Sequence, residues 1–334
     1  MKSYLSKIAF SLLFYLSFST FAHAQKSMQE LAELNDKKWD KLVKSYKNNS
    51  TWIDQLQGLL NEDLVSEDNL PNPKKIGVLT MQIWDYSQTS SSTVAQTTVY
   101  TKNYLTPEGS NLVAETFLET MLPIFEDKFQ AKGITLLEPD EYLTDAEKRK
   151  IYEEGPSRID VSGLVKAFGA ITSFLTNADK GEGSATASGY EFYPISPKTL
   201  STDFKSPASL GLIVEELGLD AVLVLSVELR LEKNGKSMVL NGIQTGLVGP
   251  INDDESKEYK GRIGAGMMNM YRDGMSFSSV FFDDIEPFEI AKIDKSKGAI
   301  EEWYLDGLDV VTERMATDLI RGMEKFVALD KSKD

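Results

Sequence analysis

Leu217-Gly218-Leu219-Asp220-Ala221-Val222-Leu223-Val224-Leu225-Ser226-Val227-Glu228-Leu229-Arg230-Leu231-Glu232 decides how the rest of the chain is read. A glycine that stops a helix is followed by an aspartate and then by a strand. Leu223, Leu225, Val227, Leu229 and Leu231 point one way. On the other face Val222 and Val224 give way to Ser226, Glu228, Arg230 and Glu232. A strand of this kind starts buried on both faces and ends with one face polar, as the period of two requires.

Working outward, Ser206–Gly218 reads as the helix before this strand, with Pro207 in its first turn. Lys233-Asn234-Gly235-Lys236 carries the Asn-Gly signal of a tight type I′ hairpin, with Met238–Val248 returning. Arg262–Tyr271 and Met275–Phe282 read as a second hairpin around Arg272-Asp273-Gly274. Ile300–Leu329 reads as one long helix, because Tyr304, Leu308, Val311, Met315, Leu319, Met323 and Phe326 keep a helical period. Upstream, Lys74–Tyr86 is a strand ending in Trp84 and Tyr86. Ser87–Thr101 is either a second strand at Thr97–Tyr100 or a surface loop. Ser110 is expected to cap a helix to about Ala131 that Pro123 kinks or divides, and Gly133 to close it before a short strand at Ile134–Leu137. Thr144–Glu154 is a charged helix ending at Gly155-Pro156.

The division that follows is a leader at 1–24, a helical arm at 25–73, an α/β body at 74–329 with an insertion at 157–205, and a charged tail at 330–334. The fold class is α/β (α+β): a mixed sheet with antiparallel hairpins packed by helices. The arm ends at Asn69-Leu70-Pro71-Asn72-Pro73. Its apolar sets are Met28, Leu31, Trp39, Leu42, Val43 and Tyr46, then Trp52, Leu56, Leu59 and Leu60. The insertion holds a helical stripe, Val161, Leu164, Val165, Phe168, Ile171, Phe174 and Leu175, with Lys166 its lone basic residue. A stretch rich in Gly, Ser and Ala follows at Asn177–Gly189. The stripe is read as a helix on the core or as a lip for a partner or a membrane interface.

Lys2 and Lys7, the apolar run Ile8–Phe18 and the small-x-small site Ala22-His23-Ala24 make a secretory signal peptide, with cleavage expected after Ala24 and a periplasmic or cell-surface address. The chain has 334 residues, no Cys, one His and a net charge of −15. Since the only histidine is His23, the exported chain has no imidazole and no thiol. A Ser–His–Asp triad, a Cys nucleophile and His or Cys metal sites are excluded. The acidic balance argues against nucleic-acid binding. No apolar run after the leader reaches the length of a bilayer-spanning helix.

Lys75-Ile76-Gly77-Val78-Leu79 and Leu217-Gly218-Leu219-Asp220-Ala221-Val222-Leu223-Val224, with the order of elements around them, resemble the α/β domain of the curli secretion channel (CsgG-like) proteins. They are also similar to the N-terminal domain of TolB. The resemblance implies an envelope protein that works by assembly with other envelope proteins or with itself, without chemistry and without a cofactor. The start of the exported chain lacks the cysteine of a lipid anchor. Val239–Val248 and Arg262–Tyr271 reach barrel-strand length without uniformly apolar faces.

Three functions follow as expectations: a non-catalytic envelope protein acting through protein contacts, a membrane-associated oligomeric pore component, and a carboxylate-based glycan hydrolase using Asp283, Asp284 and Glu286. Asp253-Asp254-Glu255 and Glu301-Glu302 read as solvated loops. Asp179-Lys180-Gly181-Glu182-Gly183 lacks EF-hand spacing, and Gly261-Arg262-Ile263-Gly264-Ala265-Gly266 lacks a phosphate-loop lysine. Met267, Met268, Met270 and Met275 read as core filling or a contact surface. Trp84, Tyr86, Tyr100 and Tyr104 read as an aromatic edge of the core, or as the lining of a sugar- or peptide-binding surface. No catalytic, cofactor or metal residue is assigned.

Overall fold

A computed structural model describes residues 27–44, 73–87, 90–94, 97–101, 105–160, 183–203, 205–232, 234–250, 274–282, 285–294 and 299–328. The leader, Tyr46, Trp52 to Leu60, the Val161–Leu175 stripe, Asp179–Glu182, Asp253–Glu255, the Gly261–Gly266 string, Arg262–Tyr271, Met267, Met268, Met270, Tyr104, Asp283, Asp284, the tail and the side chains of Tyr100 and Phe326 lie outside the described residues.

In chain order the elements are α1 (Met28–Ala32), α2 (Asp36–Leu42), β1 (Val43–Lys44), β2 (Lys75–Asp85), β3 (Ser90–Val94), β4 (Thr97–Thr101), α3 (Pro107–Gln130), β5 (Thr135–Leu137), α4 (Pro139–Tyr142), α5 (Ala146–Arg158), β6 (Ala185–Thr186), α6 (Pro197–Thr202), α7 (Lys205–Leu217), β7 (Ala221–Leu231), β8 (Ser237–Gly249), β9 (Met275–Phe282), β10 (Phe288–Asp294), β11 (Ala299–Trp303) and α8 (Leu308–Ala328). One mixed sheet has the order β1-β9-β8-β7-β2-β5, with β6 on the edge of β2, β10 on β8, and β11 on β10. Among the described strands only the β5-β2 and β2-β7 pairs are parallel. β3 and β4 form a separate two-stranded ribbon.

Two cores lie on the two faces of this sheet. The larger takes α1, α2, α3 and α8 against Ile76, Val78, Met81, Leu223, Leu225, Val227, Leu229, Ile243 and Leu247. The smaller takes α4, α5 and α7 against Leu79, Val222, Val224 and Val248. The expected alternation of β7 is met: its leucines face the larger core. A bulge in β2 between Val78 and Thr80 explains why the inward parity switches from Ile76 and Val78 to Met81 and Ile83.

Several expected boundaries are corrected. Thr106, not Ser110, caps α3, with its side chain accepting the Gly109 N–H and Pro107 in the first turn. α3 runs undivided through Pro123 to Gln130. α5 runs through Gly155-Pro156 to Arg158. The carbonyl of Tyr152, four residues before Pro156 and deprived of a helical donor there, accepts a bond from the Tyr193 hydroxyl at 2.9 Å instead. The β7–β8 turn is longer than a two-residue type I′ loop: Glu232 N–H donates to Ser237 O at 2.9 Å and Gly235 N–H to Glu232 O at 2.7 Å. The long C-terminal helix does not begin at Ile300. Ile300 lies in β11, and α8 starts at Leu308 after Gly307, whose φ of +92° and tight packing on α1 exclude a side chain. β10 and β11 escaped the sequence reading.

Residues 27–44 are part of the body. Met28, Leu31 and Trp39 are buried in the larger core, and β1 pairs with β9. The Trp39 indole N–H donates to Asp318 Oδ2 at 2.8 Å, while the Arg314 guanidinium lies 4.3 Å from the ring centroid. Among the described residues no helix is long and apolar enough to cross a membrane.

Candidate functional site: the polar face of the sheet

Past Val224, the smaller-core face of the sheet turns polar. Thr80, Gln82 and Trp84 of β2 pair in register with Val224, Ser226 and Glu228 of β7, and Ser226 pairs with Gln244 of β8. Buried polar side chains need partners. Most of theirs come from one segment of the chain itself, residues 183–203, which forms a strap.

The strap runs down the edge of β2, where Ala185 and Thr186 pair with Ile83 and Gln82. It turns at Gly189, whose φ is +85°, and crosses the polar face. There the sheet's side chains grip its main chain. Thr80 Oγ1 donates to Glu191 O at 2.8 Å. Gln82 Nε2 donates to Ile195 O at 2.7 Å, and Gln82 Oε1 accepts the Tyr193 N–H at 3.1 Å. Gln244 Oε1 accepts the Lys198 N–H at 3.1 Å, in the first turn of α6. Gly246 leaves the floor low enough for Pro197, since a Cβ there would stand 3.1 Å from the proline Cβ.

Tyrosines complete the grip. Between β5 and β6 the edge of β2 has no neighbouring strand among the described residues, so its carbonyls take other donors. The Tyr142 hydroxyl donates to Val78 O at 3.2 Å and the Tyr152 hydroxyl to Leu79 O at 2.7 Å. Tyr152 also accepts the Glu191 N–H at 3.0 Å. The Tyr190 hydroxyl donates to Glu138 Oε2 at 3.0 Å. Burial pushes the phenols of Tyr142, Tyr152, Tyr190 and Tyr193 well above the ordinary tyrosine range, so they stay neutral donors.

At the C-terminal rim of β2 and β7 stand two carboxylates, Asp85 buried and Glu228 half-buried. Asp85 Oδ1 accepts the Ser87 N–H at 2.9 Å and Oδ2 the Leu105 N–H at 3.1 Å. The Asp85 N–H donates to Ser184 Oγ at 3.1 Å, and the Ser110 hydroxyl donates to Gly183 O. Asp85 therefore ties the end of β2 to the start of α3 and the start of the strap. Burial raises its carboxyl above the usual aspartate value, against the lowering effect of these bonds. Glu228 Oε1 accepts the Tyr86 hydroxyl at 3.1 Å and the Gln244 amide. Burial raises its carboxyl too, opposed by Tyr86, Lys198 and Gln244. Tyr86 is likewise raised, first by burial and then by Glu228. The Trp84 ring meets Phe192 of the strap edge to face at 4.8 Å.

This arrangement is suited to holding main chain rather than to acid–base chemistry. Glu228 shares a face with Trp84, whereas Asp85 pairs with Leu229 on the opposite face. Carboxylates on opposite faces cannot flank one glycosidic bond. Among the described residues there is no cluster of three or more His, Cys, Asp or Glu that could hold a metal ion.

Of the residues singled out in the sequence, Trp84 and Tyr86 are brought to this rim, and Glu228 joins them. Glu286 is exposed elsewhere, and Met275 is buried in the larger core. Gln82, Gln244, Asp85 and the tyrosines at 142, 152, 190 and 193 were missed. Two glutamines inside otherwise apolar strands were the available signal, because a buried amide demands a partner.

Comparison of the chain with protein-family models, with curated proteins and with solved structures gave no match.

Proposed function

We propose that this is an exported, non-catalytic envelope protein that works through protein–protein contact, by binding other envelope proteins or by self-association. The observation that carries this reading is the set Thr80, Gln82 and Gln244, whose side chains are committed to main-chain atoms of the strap. Main-chain recognition by a sheet is hardware for binding polypeptide. Asp85 serves as a tie between segments and Glu228 accepts from Tyr86 and Gln244, which leaves them poorly placed as a catalytic pair. The signal-peptide pattern at Lys2 to Ala24 supports export, and the resemblance at Lys75–Leu79 and Leu217–Val224 supports an assembly role.

The test is cross-linking in intact cells, followed by fractionation and light scattering of the native material. The reading expects release from the cytoplasm, a chain beginning near Gln25, and stoichiometric cross-links to itself or to envelope proteins. A strictly monomeric chain without cross-links, or one retained in the cytoplasm, would contradict it.

A further inference from the structure

We propose that the next row of the same face, Trp84, Glu228 and Asn241, docks an extended main-chain segment of a partner protein laid beside the strap; this deepens the reading above and rests on it. The register places the row. Trp84 pairs with Glu228, Glu228 pairs with Gly242, and Asn241 is the extra residue of the β8 bulge opposite the Glu228–Leu229 step. The inner row of Gln82 and Gln244 is already filled by the strap. In the outer row the Trp84 indole N–H and the Asn241 side-chain carbonyl are shielded from solvent, and neither has a hydrogen-bond partner among the described residues.

One buried donor and one buried acceptor, on strands two apart in the sheet, are the complement of an extended segment, which offers carbonyls and N–H groups along its length. Leaving both unmet is costly, so an occupant that meets both is favoured. Both residues are only half-buried, towards the C-terminal ends of β2 and β7, and the described residues leave the outer side of the row uncovered by a further strand. Successive rows on one face of a strand are about 6.6–6.8 Å apart and neighbouring extended chains about 4.7–4.9 Å, so a second chain fits alongside the strap. Gly242 keeps the floor low: a Cβ there would lie 3.5 Å from Glu228 Oε2. Phe192, packed on Trp84, forms the wall towards the strap. The Glu228 carboxylate and the net charge of −15 select a neutral or basic segment.

The experiment uses the ¹⁵N-labelled full chain after leader removal, with N-acetyl-alanine methylamide as a minimal peptide unit and tert-butanol as the control. Four indole signals are expected from the four tryptophans; Trp84→Phe assigns one of them. The proposal expects a saturable shift of the Trp84 indole and the Asn241 side-chain amide. Asn241→Leu should abolish it, and the Trp39 indole, already bonded to Asp318, should not move. No saturable shift, an equal shift with tert-butanol, or a long-lived water on the Trp84 indole that the probe does not displace would overturn it, the last meaning a buried water only. In cells, Asn241→Leu should lower envelope cross-links at least tenfold with unchanged Tm. Wild-type cross-links retained in full by the variant would overturn the docking row and leave the proposed function standing. No cross-links in either protein would overturn both.

Discussion

Removing the Tyr152 hydroxyl is the most informative single perturbation of the strap. That oxygen donates to Leu79 O at 2.7 Å and accepts the Glu191 N–H at 3.0 Å, joining the β2 bulge to the strap. Tyr152→Phe keeps the ring between Tyr142 and Tyr193 but strands a main-chain acceptor and a main-chain donor. A buried group left unsatisfied costs about 1–3 kcal/mol, so the pair costs about 2–6 kcal/mol. For a body of this size each kcal/mol moves Tm by about 2–4 °C, giving a drop of roughly 4–24 °C. Tyr142→Phe is the internal control: it strands Val78 O, from a longer bond of 3.2 Å, while leaving the Tyr152 bonds to Leu79 O and the Glu191 N–H, and is expected to cost about 1 kcal/mol. Thermal unfolding by circular dichroism measures both. Amide exchange resolves the mechanism, because Glu191 N–H should lose protection in Tyr152→Phe and keep it in Tyr142→Phe. A Tyr152→Phe loss no larger than that of Tyr142→Phe, or a still-protected Glu191 amide, would refute the reasoning.

Trp39→Ala is expected to destabilise by about 3–5 kcal/mol, since it empties a buried site and leaves Asp318 without its indole donor; urea unfolding reads the loss. Glu228→Gln tests the half-buried carboxylate. Its folded value is raised, so its contribution to stability is present below the ordinary glutamate value of about 4.3 and fades as pH rises through the raised one. Relative to wild type, the variant should therefore be more stable at pH 8 than at pH 4 in a pair of urea titrations, and an unchanged difference would contradict this. Gly183→Ala places a methyl against the Asp85 carboxylate at a φ of +94°, and strain of about 1–3 kcal/mol from the backbone alone should appear as a lowered Tm.

Much of the fold was legible where one residue pattern served one purpose. The β7 alternation, Gly218 as a helix stop with φ +72°, and the short strand after Gly133 all follow from local chemistry. In the Leu217–Val224 motif Asp220 accepts the N–H groups of Lys74 and Lys75, both at 2.8 Å, and so fastens the starts of β2 and β7 together. The reading failed where distant partners overrode local signals. Gly155-Pro156 marks a helix end only if Tyr152 O lacks a donor, and Tyr193 supplies one across the fold. Ile300 and Tyr304 fit the helical period of α8 by chance, while β11 pairs with its neighbour β10, which is itself held by distant pairing with β8. Of the site, Trp84, Tyr86 and the wetting face of β7 were visible. The strap was not, because its bonds are made by main-chain atoms, which leave no mark in a sequence.

The most direct test of main-chain recognition by the sheet is the exchange of two amides, Tyr193 N–H and Lys198 N–H, which donate to Gln82 Oε1 and Gln244 Oε1 at 3.1 Å each. The account predicts that both are protected in the native chain, and that Gln82→Leu exposes Tyr193 while Lys198 stays protected. Exchange of either amide at the unprotected rate in the native chain, or an unaltered Tyr193 in the variant, would contradict it.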